Sequence, residues 1–195
     1  MEAIRRRNGL GGFTIQQPVV VNSRGRGGSI PLVAKVKDIA ARSTLWLFVI
    51  ALGLDLGAGI YEARVVVPLW AEGVPETLAA GNPYGRVAVT AGIHFWAYLT
   101  SIVAVLSVVA LVFGVIAPEP RRKWQIFSAV AELTVVAMTL LYFRPTLVML
   151  FLGHGAGLSA SAIAATVGRW VMWSRVRIVI SFVAWCASLR ALTFS

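Results

Sequence analysis

Charged residues are scarce in this chain of 195 residues: Asp, Glu, Lys and Arg make up 13% of it, and hydrophobic residues make up 58%. Soluble domains usually contain about 25% charged residues, so the composition excludes an ordinary soluble protein. The single cysteine, Cys186, excludes an intramolecular disulfide and a cysteine-based zinc site. Walker phosphate loops and dinucleotide-binding glycine motifs are also missing, so no common nucleotide-dependent enzyme is indicated.

Long hydrophobic runs dominate the rest of the sequence. A transmembrane helix needs about 20 predominantly apolar residues, and four stretches are apolar over about that length. We therefore predict an all-α fold, a four-helix bundle of transmembrane helices in a domain over residues 43–195. Pro68 is expected to end the first helix, because proline interrupts helical hydrogen bonding. The predicted spans are residues 44–62, 87–117, 124–143 and 170–192.

The distribution of basic residues predicts the orientation. The net charge is +10, and many basic side chains lie in residues 1–42 and in the loop 121–123. The segment 1–42 is rich in Gly and polar residues, so we expect it to be mobile. Within it, residues 33–41 are a candidate for a short amphipathic helix on the membrane surface. Because cytoplasmic loops are enriched in Lys and Arg, both termini are predicted on the cytoplasmic side of a bacterial plasma (inner) membrane. Basic residues at the ends of hydrophobic runs indicate membrane lipids, and not nucleic acid, as partners.

Each predicted span carries polar residues at helical spacing. An ionisable side chain inside a membrane costs about 2.5–3.5 kcal/mol on insertion scales, so such residues usually face the interior of the bundle or a wet cavity. Four polar stripes on four helices therefore predict one shared interior. The stripes are Asp55, Gly59 and Glu62; Thr90, His94, Tyr98 and Ser101; Gln125, Ser128, Glu132, Thr139 and Tyr142; and Ser174, Arg177, Ser181 and Ser188.

The depth of these residues, counted at about 1.5 Å per helical residue, predicts a polar pocket in the outer half of the bundle. The residues that converge at this level are Glu62, His94, Tyr142, Arg175 and Arg177. The alternative is structural: an ion pair between Glu62 and Arg177 that only locks the helices together. Asp55 and Glu132 fall near the midplane.

A metal site is a further hypothesis for this interior, with Glu62, His94 and Glu132 as candidate ligands at a spacing that is not distinctive. The sequence identifies no cofactor. Gly53 and Gly57 form a pair of small residues at a spacing that lets another helix approach closely. This face is predicted to be a seam for a homo-oligomer or for a larger complex.

Short motifs along the chain resemble those of the small four-helix membrane proteins grouped with anthrone oxygenases, a family mostly of unknown function. The resemblance covers about residues 45–192, most of the chain. It implies a four-helix membrane protein and oxygenation of an activated polycyclic phenol ketone without an obvious cofactor. The motifs are Tyr61-Glu62, Val67-Pro68-Leu69-Trp70, His94-Phe95-Trp96, Tyr142-Phe143-Arg144-Pro145, Arg169-Trp170 and Arg177.

The leading functional hypothesis is an oxidoreductase or oxygenase, cofactor-independent or metal-dependent, that acts on a lipophilic aromatic or quinone-like molecule. Glu62 or His94 would take a proton from the substrate, and Arg177 would hold the resulting enolate or phenolate. One alternative is a non-catalytic structural or ligand-binding membrane protein, and a second is a small transporter. The candidate substrate-binding residues are Tyr142, Arg144, Arg169, Trp170 and Arg175.

Overall fold

The structure is a computed structural model that describes residues 32–78, 83–152 and 157–195. Within these ranges every regular element is helical and no strand occurs, which confirms the predicted all-α class. Residues 1–31, most of the predicted N-terminal segment, lie outside the described part. The α-helices are α1 (Leu32–Tyr61), α2 (Val67–Ala71), α3 (Pro83–Ile116), α4 (Arg121–Met138), α5 (Arg144–Leu147) and α6 (Ala160–Leu192).

Three π-helical turns and one 3₁₀ turn join these helices into longer stretches. The π-turns are Glu62–Val66, between α1 and α2, Thr139–Phe143, between α4 and α5, and Val148–Leu152, after α5. The 3₁₀ turn is Glu76–Leu78. A single continuous helical stretch therefore runs through α1 and α2, and another through α4 and α5.

The four predicted spans fall on four long helical stretches, but the helices are longer than predicted. α1 begins at Leu32, so the short helix predicted over residues 33–41 is the first part of α1 and not a separate element. Among the described residues, three stretches are long and apolar enough to cross a membrane: Lys35–Ala71, Thr90–Ile116 and Arg121–Phe151. The fourth helix, α6, contains four arginines in its 33 residues.

The prediction that Pro68 ends the first helix is wrong. Pro68 lies in the first turn of α2, directly after a π-turn, and Pro145 holds the same position in α5 after the second π-turn. The first turn of a helical segment tolerates proline, because its missing N–H interrupts no regular hydrogen bond there. In both stretches the hydrogen bonding changes from π- to α-helical just before the proline. The helical stretch therefore continues beyond the proline.

The helices pack in a four-membered arrangement in which α1 and α4 each contact both α3 and α6. Two separate apolar clusters fill its two ends. One cluster contains Phe48 of α1 and Ala184 of α6, and the other contains Trp70 of α2 and Trp170 of α6. Between them lies a set of ionisable and hydroxyl side chains that we call the polar layer: Asp55, Glu62, Glu132, Ser174, Arg177 and Ser181.

The outer surface of the helices is apolar. Large hydrophobic side chains are exposed on every long helix, as at Leu54 of α1, Val112 of α3, Leu141 after α4 and Phe182 of α6. A soluble monomer rarely exposes apolar surface all around its circumference, whereas lipid requires it. The apolar outer surface and the three long apolar helical stretches among the described residues are typical of an integral membrane protein.

Candidate functional site

A cavity of about 210 Å³ lies between the helices, beside the polar layer. Each of the four long helical stretches contributes to its wall, through Glu62, Trp96, Thr139 and Arg177, among others. Most of the wall is apolar, and its polar groups are few. This is the usual composition of a small-molecule site, in which an apolar wall binds and a few polar groups orient the ligand.

An ion pair forms the charged part of the wall. Arg177 Nη2 lies 3.1 Å from Glu62 Oε2, and the two side chains are only 6% and 13% exposed, respectively. The pair joins the end of α1 to the middle of α6. Because both groups contact the cavity, a ligand there would meet one carboxylate and one guanidinium at the same place.

Trp96 completes the surroundings of this pair. Its indole Nε1 donates a hydrogen bond of 2.8 Å to Glu62 Oε1, so each carboxylate oxygen of Glu62 has one donor. The guanidinium carbon of Arg177 lies 4.8 Å from the ring centroid of Trp96 and 4.8 Å from that of Phe143. Cation–π contacts of this kind stabilise a desolvated guanidinium and fix its orientation.

The π-turns lie at the cavity. Glu62 begins the first π-turn, and Val66 at its end also lines the wall. Thr139 and Phe143 begin and end the second π-turn, and both line the wall. A π-turn contains an extra residue relative to an α-helical turn, so it changes which side chains face inward, and such turns are frequent at functional sites.

An aromatic cluster supports one side of the cavity. The ring of Trp170 makes edge-to-face contacts with Trp70 at 5.4 Å and with Phe143 at 5.5 Å between centroids. Trp170 Nε1 also donates a hydrogen bond of 3.4 Å to the carbonyl oxygen of Phe143. These contacts restrain large rings that would otherwise adopt several orientations, so this part of the wall is preformed.

The midplane carboxyl groups lie in the polar layer next to the ion pair. Asp55 is buried and accepts a hydrogen bond from Ser181 Oγ at 3.5 Å. Glu132 is fully buried, and neither of its carboxyl oxygens has a hydrogen-bond partner among the described residues. Ser174 Oγ is also buried without a partner there.

Four of the predicted site residues come together at the cavity: Glu62, Arg144, Trp170 and Arg177. Tyr142 and Arg169 line a second, more open cavity with Trp173, on another side of the same helices. Arg175 is exposed, because two positions along a helix turn a side chain well away from Arg177. The predicted substrate-binding residues are therefore divided between the two cavities, and Arg175 lines neither of them.

The prediction that His94 faces the interior is wrong. His94 is exposed, as are Thr90 and Tyr98 from the same predicted stripe of α3. The buried residues of α3 include Thr100 and Val103, which lie on another face of the helix. α3 is apolar on all sides, so its few polar residues did not determine which face packs inward.

The predicted metal site is not assembled. Among the residues that the structure describes, no group of three His, Cys, Asp or Glu side chains is placed to hold a metal ion. His94 faces outward, and Glu62 is held by Arg177 and Trp96. Glu132 lies deeper, beside Asp55. The candidate ligands Glu62, His94 and Glu132 therefore do not form one site.

Sequence reasoning missed the role of Trp96. Tryptophan residues that anchor a membrane helix usually lie at its ends. Trp96 lies inside the second predicted span, away from both ends. An indole N–H inside a bundle needs a hydrogen-bond acceptor. This requirement could have indicated from the sequence that Trp96 faces a polar group of another helix. The indole also places α3 at the site, through Trp96 rather than through His94.

Gly53 of the predicted oligomer seam contacts the same chain. A Cβ atom built at Gly53 would lie 3.3 Å from Nε1 of Trp185 in α6, so this glycine lets α1 and α6 approach closely. Gly57 has no neighbour within 4 Å of such an atom. The close approach that the spacing predicts is therefore used at Gly53 within the bundle.

Comparison with protein-family models, with curated proteins and with solved structures found no match to this chain. What the cavity can bind therefore follows from its own residues. It offers an aromatic and aliphatic wall, a buried Glu62–Arg177 ion pair and an indole donor to the carboxylate.

Proposed function

We propose that the chain is an integral membrane protein with four transmembrane helices, in which the cavity binds a lipophilic aromatic or quinone-like molecule for oxidation. The observation that carries this proposal is the desolvated Glu62–Arg177 pair at the wall of an otherwise apolar cavity. The motif resemblance to the anthrone oxygenase group gives the reaction class, an oxygenase of a phenolic polycyclic ketone.

The length and the buried arginine of α6 support a fourth span. Its 33 residues extend over about 50 Å, more than the ~30 Å hydrocarbon core of a bilayer. Arg177 is paired and buried, so its charge does not face lipid. Side chains such as Val179 and Phe182 are exposed and apolar, as lipid contact requires.

Both termini are proposed to lie in the cytoplasm, in a bacterial plasma membrane. Arg121 at the start of α4 donates a hydrogen bond to the carbonyl of Ala41, so the early part of α1 and the start of α4 lie at one end of the bundle. Arg42, Arg122 and Lys123 are exposed at this end. The positive-inside rule assigns such an end to the cytoplasm.

Transfer of a proton from the substrate to Glu62 would replace the Glu62–Arg177 ion pair by a pair between Arg177 and the substrate anion. An acidic OH or CH of the ligand would transfer its proton to Glu62, and Arg177 would then pair with the enolate or phenolate. The number of charges in the cavity is unchanged, so no additional charge has to be buried. His94 has no part in this scheme, because its side chain is exposed.

Molecular oxygen would be the oxidant. The electron pair of the enolate forms a carbon–oxygen bond to O₂, and the resulting peroxide takes the proton back from Glu62. Loss of water then breaks the O–O bond and the remaining C–H bond, so a CH₂ group and O₂ give a ketone and water. In this scheme Glu62 is the one acid–base residue, Arg177 stabilises the anion, and O₂ is the oxidant.

The test is the double variant Glu62→Gln/Arg177→Gln, with Glu119→Gln/Lys123→Gln as a matched control. The control neutralises an exposed ion pair of 3.8 Å outside the cavity. Both variants should fold, because each loses a complete pair. The cavity variant should lose binding of a hydroxylated polycyclic ketone and the oxygen uptake that this ketone supports, and the control should keep both.

The structural alternative makes the opposite prediction. If Glu62 and Arg177 only hold helices together, a folded double variant keeps full ligand binding and oxygen uptake. That result would remove both residues from the mechanism and with them the proposal of an enzyme. Thermal unfolding in detergent, measured on the same samples, separates loss of function from loss of fold.

A further inference from the structure

The polar layer contains a carboxyl group without any partner. Glu132 of α4 has no exposed surface, and neither of its oxygens is hydrogen-bonded within the described residues. The hydroxyl of Ser174 in α6, only 3% exposed, is unpartnered as well. Buried polar groups are nearly always hydrogen-bonded, and a buried charge is costly unless it is paired. An unpartnered carboxyl group inside the bundle therefore calls for a ligand that neutralises it.

The charges that face Glu132 cannot neutralise it. From α1 the carboxyl group of Asp55 lies close to Glu132, and Asp55 in turn lies close to Glu62 in the π-turn that follows α1. From α6 Glu132 meets Arg177, which already pairs with Glu62 at 3.1 Å. The described part of α3 has only the hydroxyls of Thr100 and Ser107 among its buried polar groups. Three carboxyl groups thus share one guanidinium.

Ser181 connects the two remaining carboxyl groups. Its hydroxyl donates to Asp55 Oδ2 at 3.5 Å and also lies close to the carboxyl group of Glu132. Ser174, Arg177 and Ser181 lie on one buried face of α6, about one helical turn apart. Hydrophobic clusters lie on both sides of this group along the bundle.

We infer that Asp55, Ser181 and Glu132 form a proton-binding site inside the bundle, next to the Glu62–Arg177 cavity. A proton on a carboxyl group removes a charge that has no counter-ion and supplies an O–H donor for its neighbour. Acidic side chains inside membrane bundles commonly serve as proton carriers. The ligand here is the smallest cation, which requires no ring of coordinating oxygens.

The site differs from the proposed substrate site in residues and in consequence. Neither Asp55 nor Glu132 lines the cavity, whereas Arg177 contacts both regions. A proton bound at Glu132 would therefore change the field at Arg177 without contact with a ligand. Burial and charge alone support this proton-binding site, which does not require the proposed oxygenase activity.

The experiment is infrared spectroscopy of the purified protein in detergent at neutral pH. We expect a carbonyl band of protonated carboxyl groups that is reduced in Glu132→Gln and in Asp55→Asn and is absent from the double variant. Glu119→Gln, which changes an exposed carboxyl group, should leave the band unchanged. Glu132→Gln should be as stable as the parent protein, because an amide resembles a protonated carboxyl group.

Three results would overturn the inference. The first is a band that is the same in the parent protein, Glu132→Gln and Asp55→Asn, since neither group would then hold the proton. The second is a band that appears only after Na⁺ is removed, which would make the occupant a sodium ion. The third is failure of Glu132→Gln to fold, because that would show that the ionised carboxylate is required.

Discussion

Two buried arginines, at two levels of the bundle, have opposite surroundings. Arg121 at the start of α4 is 4% exposed and donates to neutral oxygens, Gln125 Oε1 at 3.0 Å and the carbonyl of Ala41 at 3.3 Å. Arg177 in α6 is 5% exposed, pairs with a carboxylate and lies against two aromatic rings. Only Arg177 lines the cavity.

The difference shows how a structural polar residue is distinguished from a candidate site residue. The network around Arg121 continues through Gln125, whose Nε2 donates to the carbonyl of Ala110 at 2.7 Å. Its donors therefore reach backbone groups of two other helices, which fastens α4 to α1 and α3. The Arg177 pair instead leaves charged groups at an open space, an arrangement that is useful for a ligand and less so for packing.

The largest effect is expected from Arg177→Gln. This change leaves the Glu62 carboxylate buried with only the Trp96 donor, and breaking one partner of a buried pair costs about 3–5 kcal/mol of unfolding free energy. Thermal unfolding in detergent measures the loss. The double variant Glu62→Gln/Arg177→Gln should recover most of the lost stability. A single variant as stable as the parent protein would show that the pair does not contribute to the fold.

Arg121→Met is expected to have a smaller effect on stability and none on the cavity. The change leaves Gln125 Oε1 and the Ala41 carbonyl without this donor, at a cost of about 1–3 kcal/mol. Binding of a hydroxylated polycyclic ketone should be unchanged once the protein is folded. Arg122→Met, at an exposed neighbouring position, is the matched control. Weakened ligand binding in folded Arg121→Met protein would remove the distinction between the two arginines.

His94→Ala should have the smallest effect of the three. The side chain is exposed, and substitutions at exposed positions usually change stability by less than about 0.5 kcal/mol. Ketone binding and oxygen uptake should match those of the parent protein. A loss of oxygen uptake of tenfold or more would return His94 to the list of acid–base candidates and would mean that α3 rotates in the working protein.

The polar stripes of three helices were predictable from the sequence. In α1, α4 and α6, the predicted stripes contain buried ionisable residues, as at Asp55, Glu132 and Arg177. An ionisable group is costly in lipid, so its position fixes which face of its helix turns inward. α3 has no comparable group in its middle. Of its predicted stripe, Thr90, His94 and Tyr98 are exposed, whereas Ser101 lines the cavity. The indole of Trp96 provides the inward polar contact of α3.

By itself, the sequence determined the helical class, the four long helical stretches, three of which are apolar enough for a membrane in the described residues, and the inward faces of the helices that carry charge. Hydrophobic length and the cost of burying charge act within one segment, so they can be recognised without knowledge of its neighbours. Only the tertiary structure decided the rotation of α3, the pairing of Glu62 with both Trp96 and Arg177, and the isolation of Glu132. These depend on side chains from different helices meeting at one point, and the periodicity of a single helix contains no information about the partner it will contact.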